Sequence, residues 1–185
     1  IHDAYSKSKD YVFELKQVTK KLDNQIVSDS FDPISKLEEI PNNPKQRYKL
    51  MTLDMPLGGQ LSLDMMYRTC GTQLNIDYSS EEDFVKKFKV VNSIVPISIA
   101  LFANSSIVEK KNSNYLSYRS KVWQNTSRGG LPKLFFENLN FEKYAEFTMN
   151  FPVLFIQDKD EYISGRKYIF SDFMEGKISE INNRL

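Results

Sequence analysis

The segment PLGGQLSLDMMYRTCGTQLNIDY, residues 56–78, decides the predicted fold. It opens with two glycines, which tolerate backbone angles that other residues resist, and residues 60–78 then alternate in character. A β-strand sends successive side chains to opposite faces, so this alternation predicts a long strand with one largely apolar face. From residue 69 on, the even positions form that face (Cys70, Thr72, Leu74, Ile76, Tyr78) and the odd positions form a polar one (Thr69, Gly71, Gln73, Asn75, Asp77).

Two interpretations of the polar face stay open. It is either the solvated face of a half-buried strand, or the lining of a wet cleft where ions or phosphates sit. Gln73 and Asn75 favour the cleft, because a solvated face more often carries Lys, Glu and Thr. We therefore expect Gln73 and Asn75 to face a cleft, and Leu74 and Ile76 to face the core under the following helix. Since the first half of the strand has its apolar residues on the odd face, a bulge or twist near residues 68–71 is also expected.

Composition and charge narrow the class of protein. A chain of 185 residues with 41% hydrophobic residues is long enough for one domain with a core, taken as residues 1–185. The net charge of +1 gives no electrostatic case for nucleic acid or a membrane surface. The single cysteine, Cys70, precludes an internal disulfide and suits a reducing compartment, so a cytoplasmic location is expected. His2 is the one histidine, so a histidine-and-cysteine zinc site and a histidine-based catalytic triad are almost excluded. Any metal would be bound by oxygen ligands, which points to magnesium or calcium.

The remaining chain predicts several helices and a hairpin. Amphipathic spacing predicts helices over 3–24, 45–55, 79–104, 140–149 and 171–176, and a hairpin from 151–157 and 161–164 that turns at Asp158–Lys159–Asp160. Serines followed by acids predict the start of the 79–104 helix, which Pro96 should kink. That helix is apolar nearly all round from 94 to 103, so it is expected to be deeply buried. Prolines predict a loop over 28–44, and residues 105–133 are expected to be irregular.

Four arginines have the chemistry to bind carboxylates or phosphates. Arg47 and Arg68 lie at either side of the glycine pair, and Arg128 precedes Gly129-Gly130. A lone arginine is usually a surface charge, and two adjacent glycines are usually a turn. Arg119 differs, because its aromatic neighbours predict a half-buried setting (Tyr115, Tyr118, Trp123).

Several blocks resemble one enzyme family. LSLDMMYRTCGTQLNID, residues 61–77, closely resembles the signature strand of the plant and proteobacterial type of glutamate–cysteine ligase. RYKLMTLDMP resembles the helix before that strand, and LFANSS followed by SYRSKVWQNT resembles a loop of the same family. The resemblance extends from about residue 31 to residue 177, with the blocks in the same order.

The resemblance implies a fold and an activity. The implied fold is α+β: a glutamine-synthetase-like, antiparallel sheet that forms a funnel, with helices packed on its outer face. The implied activity is the ATP-dependent ligation of the γ-carboxylate of L-glutamate to the amine of L-cysteine, the first step of glutathione biosynthesis, with Mg²⁺. The acid first becomes an acyl phosphate, which the amine then attacks.

The resemblance also implies roles for individual residues. Arg119 is the catalytic residue at the reacting carboxyl and phosphoryl group, and it binds substrate with Trp123 beside it. The other substrate-binding residues are Arg47, which meets the cysteine-side substrate, Tyr48 and Met66. The implied ATP-binding residues are Gln73, Asn75 and Arg128, and Gln73 is also the implied metal contact.

The resemblance leaves the extent of the catalytic domain and the choice of amine acceptor as expectations. The chain is expected to be the central part of a longer catalytic domain, with the magnesium-binding acids before Ile1 and a further arginine beyond Leu185. TSRGGLP is shorter than the acidic segment of plant members, and Leu154 stands where they carry a tyrosine, so the amine acceptor stays open. The alternatives are a related ligase with another acceptor, or a non-catalytic module that binds nucleotide or amino acid.

Overall fold

The computed structural model describes residues 2–127, 129–158 and 161–178. These form seven helices: α1 His2–Lys21, α2 Gln46–Asp54, α3 Ser62–Arg68, α4 Glu81–Leu101, α5 Tyr118–Gln124, α6 Phe141–Met149 and α7 Phe170–Met174. Four strands form two antiparallel pairs: β1 Ile107–Val108 with β2 Lys111–Asn112, and β3 Phe155–Asp158 with β4 Glu161–Ser164. Short 3-10 turns lie at Leu37–Glu39, Met55–Gly58 and Lys133–Phe136. This mixture of helices and small antiparallel sheets confirms the α+β class.

The predicted long strand over residues 60–78 is wrong. Its first half is helix α3, in which Asp64 and Arg68 lie one turn apart and pair at 3.0 Å. That i,i+4 contact forms on a helix and is lost in a strand. After the isolated bridge of Thr69 to Phe31, residues 70–77 adopt neither helix nor strand within the described structure.

The expected burial of the second half of this segment and of α4 is also wrong. Leu74 is 82% exposed and Ile76 is 50% exposed, and no residue of α4 is buried. The reason is that no sheet forms beneath α4 in the described chain. Its first half packs instead against α6, through contacts of Phe84 with Phe141 and Tyr144 at ring distances of 5.4 and 5.2 Å.

Local signals placed most helices correctly. Helix α4 begins where predicted, because the Ser80 hydroxyl accepts the Asp83 N–H at 3.1 Å while the Asp83 carboxylate accepts the Ser79 N–H. The helix continues through Pro96. The expected irregular stretch 105–133 is wrong in part, since it contains β1, β2 and α5. The hairpin is confirmed by β3 and β4, although residues 159 and 160 of its predicted turn lie outside the described residues.

A buried arginine holds three segments together, and one of its partners contacts a fourth. The Arg68 side chain is 3% exposed, and its guanidinium lies 4.5 Å from the ring centre of Phe31. Its Nη1 contacts Asp64 at 3.0 Å and Glu109, in the β1–β2 turn, at 3.4 Å. We call these four residues the Arg68 clamp. Phe31, itself 1% exposed, reaches α5 through an edge-on contact with Tyr118 at 5.1 Å.

The last part of the chain packs on the hairpin. Ile156 of β3 and Ile178 are buried together, with Val153 and Tyr168 against them. The Ser164 hydroxyl donates to the Asp54 carboxylate at 2.7 Å and so fixes the hairpin to the end of α2. In the described chain, no helix is both long and apolar enough to cross a bilayer.

Beside the clamp, Asp32 is held ionised by its own loop. Its carboxylate accepts the N–H groups of Ile34 and Ser35 at 2.8 and 2.9 Å. The pKa of Asp32 is lowered from 3.8: burial is the largest influence and would raise it, but the two amides, the Ser35 hydroxyl and the charge of Arg68 outweigh burial. A carboxyl whose pKa falls on folding contributes stability that is complete above the unfolded pKa and is lost as the pH falls through the folded one.

We therefore expect Asp32→Ala to lower the free energy of unfolding by about 0.5–2 kcal/mol at pH 7, the usual cost of removing a side chain that accepts backbone N–H groups at a helix start, since Asp32 accepts two such groups in its loop. The difference in the free energy of unfolding between Asp32→Ala and wild type should stay constant at neutral pH and shrink below about pH 4. Denaturant unfolding at a series of pH values measures it. Asp32→Asn, which keeps an acceptor oxygen, is the control and should cost less at pH 7. If the loss of stability in Asp32→Ala is unchanged down to pH 3, the ionised Asp32 carboxylate does not stabilise the fold as described.

Candidate functional site

A cleft of about 970 Å³ lies between the segments 28–30 and 70–74, the second half of α4 and the start of α5. We call it the Arg119 cleft. One wall is apolar (Leu74, Val95, Ile99, Phe102), and the rest is largely polar and includes one acid, Asp29 (Ser28, Asp29, Ser30, Thr72, Ser98, Asn104, Ser117, Arg119, Ser120). Its volume is within the range typical of a site for a small molecule, and its lining residues are more polar than usual for one.

Arg119 supplies positive charge to this cleft. It lies in the first turn of α5, where its backbone N–H donates to the Ser105 hydroxyl at 3.1 Å. Its guanidinium lies 5.5 Å from the Trp123 ring and directly against Gly71, where an added Cβ would be 2.9 Å from Nη2. The buried Nε has no hydrogen-bond partner among the described residues. A buried cationic donor without a partner favours an anion, because leaving it unpaired is costly.

The structure brings Arg119 and Trp123 together, as the sequence predicts, but it reverses the faces of the next segment. Thr72 and Leu74 line the Arg119 cleft, whereas Gln73 and Asn75 do not. The amide of Gln73 instead donates to Asn75 at 2.8 Å, and both residues are exposed. The predicted cleft orientation of Gln73 and Asn75 is therefore wrong in this structure. The hydrogen bond from the Cys70 N–H to the Ser30 carbonyl, 3.0 Å long, fixes the segment beside the cleft, and polarity alone could not indicate this.

The other predicted substrate residues lie on neighbouring helices. Arg47 and Tyr48 are on α2, where the Arg47 guanidinium lies 5.3 Å from the Tyr48 ring. Helix α2 is joined to α3, which carries Met66, by a 2.6 Å hydrogen bond between Thr52 and the Tyr67 hydroxyl. Helix α3 in turn contacts α5. None of these three predicted residues lines the Arg119 cleft, and Arg128 lies outside the described residues.

The described residues do not fit a magnesium site by themselves. Among residues 2–127, 129–158 and 161–178, no three His, Cys, Asp or Glu side chains form a group that could hold a metal. Gln73, the predicted metal contact, offers one amide oxygen. Its hydrogen-bonded partner, Asn75, is also an amide and adds no carboxylate. Magnesium is normally bound through carboxylates as well as phosphates and water.

The sequence did not indicate several polar residues that lie at or near the cleft. Ser98, Ser117 and Ser120 line it, and the buried Ser105 supports Arg119 from behind. Serines carry no spacing signal of their own. For Ser105 the one sequence signal is its place in the LFANSS block.

Comparison with known proteins assigns the family. The model of glutamate–cysteine ligase family 2 matches residues 1–181 of the chain. The chain belongs to glutamate–cysteine ligase family 2. This confirms the resemblance seen in the sequence.

Plant enzymes are among the similar proteins. The chain is 38% identical over 184 residues to the chloroplastic glutamate–cysteine ligase of Nicotiana tabacum, covering 98% of this chain and 35% of that protein. It is 36% identical over 188 residues to chloroplastic glutamate–cysteine ligase A of Oryza sativa subsp. japonica, covering 100% and 38%. It is also 36% identical over 181 residues to the chloroplastic enzyme of Arabidopsis thaliana, covering 96% and 35%. The chain spans about a third of the length of these relatives.

The relatives overturn one prediction. Their names place them in the chloroplast, so the cytoplasmic location expected from the single cysteine is wrong. Cysteine count reports whether disulfides can form and does not distinguish one reducing compartment from another.

Proposed function

We propose that the protein to which this chain belongs joins the γ-carboxylate of L-glutamate to the amine of L-cysteine at the expense of ATP, the first step of glutathione biosynthesis. The observation that carries the proposal is Arg119, a partly buried guanidinium with an unpaired Nε at the cleft of a chain from this family. Relatives named glutamate–cysteine ligase support the choice of substrates.

The proposal includes the larger fold. Residues 1–185 are the central part of a longer catalytic domain, in which an antiparallel, glutamine-synthetase-like sheet forms a funnel. Segment 70–77 supports this, because its alternating side chains suit a strand although no partner strand lies beside it in the described chain. An unpaired polar backbone of this kind is normally satisfied by a neighbouring strand or by water.

The reaction places specific demands on the site. The γ-carboxylate attacks the terminal phosphorus of ATP, which forms the acyl phosphate and releases ADP. The amine of cysteine then attacks the acyl carbon, so phosphate leaves and the amine loses a proton. Both steps spread negative charge over oxygen atoms, and fixed cationic donors lower their barriers. Arg119 fits this role, with Trp123 holding its guanidinium from one face.

The remaining residue roles are proposals from the resemblance. Arg47 would bind the carboxylate of cysteine, with Tyr48 and Met66 nearby, and the chain of contacts from α2 through α3 to α5 supports a common site. The resemblance implies that Gln73, Asn75 and Arg128 would meet ATP and its magnesium, and in this structure Gln73 and Asn75 lie outside the Arg119 cleft. Because no three His, Cys, Asp or Glu side chains cluster among the described residues, the main ligands of the metal would come from elsewhere in the polypeptide.

One observation favours a second candidate, a glutamate ligase with a different amine acceptor. The resemblance implies that plant members of the family carry a tyrosine near the cysteine pocket where this chain has Leu154, and a leucine side chain offers no hydrogen bond there. Steady-state comparison of cysteine with other amino acids as acceptors, using the intact protein, decides between the two.

Arg119→Ala in the intact protein should lower kcat/KM by about 10²-fold or more, because a charge partner of the transition state is removed. Steady-state ligation assays with all three substrates measure it. Lys121→Ala is the matched control: it removes a cation from the same helix that lies against Tyr115 rather than in the cleft. Equal, small effects of both substitutions would show that Arg119 is an ordinary surface charge.

Arg47→Ala should raise KM for cysteine by about 10–150-fold, the value of an arginine–carboxylate contact of roughly 1.5–3 kcal/mol. KM for ATP and glutamate should change much less. Lys49→Ala, an exposed cation on the same helix, controls for general effects on α2. A similar rise in KM for all three substrates would instead indicate that α2 has been destabilised.

A further inference from the structure

Ser105 is a buried polar residue that fastens the start of α5. It is 5% exposed, and its backbone N–H donates to the Leu116 carbonyl at 3.2 Å. Its carbonyl accepts the Tyr118 N–H at 3.0 Å, and its hydroxyl accepts the Arg119 N–H at 3.1 Å. Three hydrogen bonds from one residue therefore hold the four-residue stretch 116–119.

The hydroxyl of Ser105 replaces the cap that α5 lacks. Ser117 occupies the N-cap position, yet its side chain caps no backbone N–H and pairs instead with the Ser120 hydroxyl at 2.8 Å. The first N–H groups of a helix have no partner within it and need an outside acceptor. For Arg119 that acceptor comes from a residue fourteen positions earlier.

Ser105 is itself held in place through the residue before it in the chain. The carbonyl of the preceding residue, Asn104, accepts both the N–H and the hydroxyl of Ser30, at 3.2 and 3.1 Å. Ser30 and Asn104 line the Arg119 cleft, whereas Ser105 lies behind it. The hydroxyl of Ser105 thus joins the backbone of Arg119 to a segment that is itself hydrogen-bonded to Ser30.

We propose that Ser105 is a positioning residue for Arg119, an inference that rests on the proposed ligase function. It touches no substrate. It fixes the backbone from which the guanidinium extends into the cleft, so its loss lets the first turn of α5 shift and misplaces the charge. A displacement of about 1 Å at a reacting group can reduce a rate by up to about 10²-fold.

The test uses the intact protein with Ser105→Ala, Ser105→Thr and, as matched control, Ser106→Ala. Ser105→Ala should lower kcat ten- to hundredfold and change KM for cysteine and ATP by less than about twofold. Ser105→Thr keeps the hydroxyl and should recover most of kcat, and Ser106→Ala should resemble wild type. In an Arg119→Ala background, Ser105→Ala should have no more than about a twofold further effect, since it acts through Arg119.

Two kinetic results would overturn the inference: wild-type kcat in Ser105→Ala, or an equal loss from Ser105→Ala with and without Arg119. Amide hydrogen exchange over residues 116–121 provides a second measurement that does not need activity. Exchange should be about tenfold faster in Ser105→Ala than in Ser106→Ala, and equal rates would overturn the inference. If the wild type joins no amine to glutamate, the proposed function fails, and hydrogen exchange alone then decides the role of Ser105.

Discussion

The buried charge of Arg68 is the constraint on which the rest of this structure depends. Burying a guanidinium is costly unless opposite charges and hydrogen-bond acceptors surround it. Asp64 and Glu109 provide opposite charge and acceptors to Nη1, and the ring of Phe31 covers one face at 4.5 Å, while Nε and Nη2 have no hydrogen-bond partner among the described residues. Its partners come from three different parts of the chain. The loop at Phe31, helix α3 and the β1–β2 turn must therefore assemble together.

The Arg119 cleft is a consequence of that assembly. Phe31 links the clamp to α5 through Tyr118, and the bridge between Phe31 and Thr69 sets where segment 70–74 begins. These contacts bring the wall at Gly71 against the guanidinium of Arg119. The cation of the proposed active site is thus positioned by a second, buried arginine that does not line the cleft. The same few contacts therefore stabilise the fold and position the cation of the proposed active site.

Local signals in the sequence predicted much of the fold, and long-range contacts account for what they missed. The capped start of α4 at Ser80 and the hairpin β3–β4 depend on neighbours in sequence, and both were predicted. Residues 62–68 alternate well enough for a strand, but the Asp64–Arg68 pair stabilises a helix there. At the site, aromatic neighbours indicated Arg119. The placement of the segment that carries Gln73 depends on the hydrogen bond from Cys70 to the distant Ser30, which no local pattern contains.

Removing the charge of Arg68 alone should destabilise the fold strongly. In Arg68→Met the Asp64 carboxylate stays buried without its partner, so the free energy of unfolding of the intact protein should fall by about 3–5 kcal/mol. Lys89→Met, which removes an exposed cation from α4, should change it by no more than about 0.5 kcal/mol. Denaturant unfolding of the two variants beside wild type is the most direct measurement. A loss below about 1 kcal/mol for Arg68→Met would contradict the central role of the Arg68 clamp.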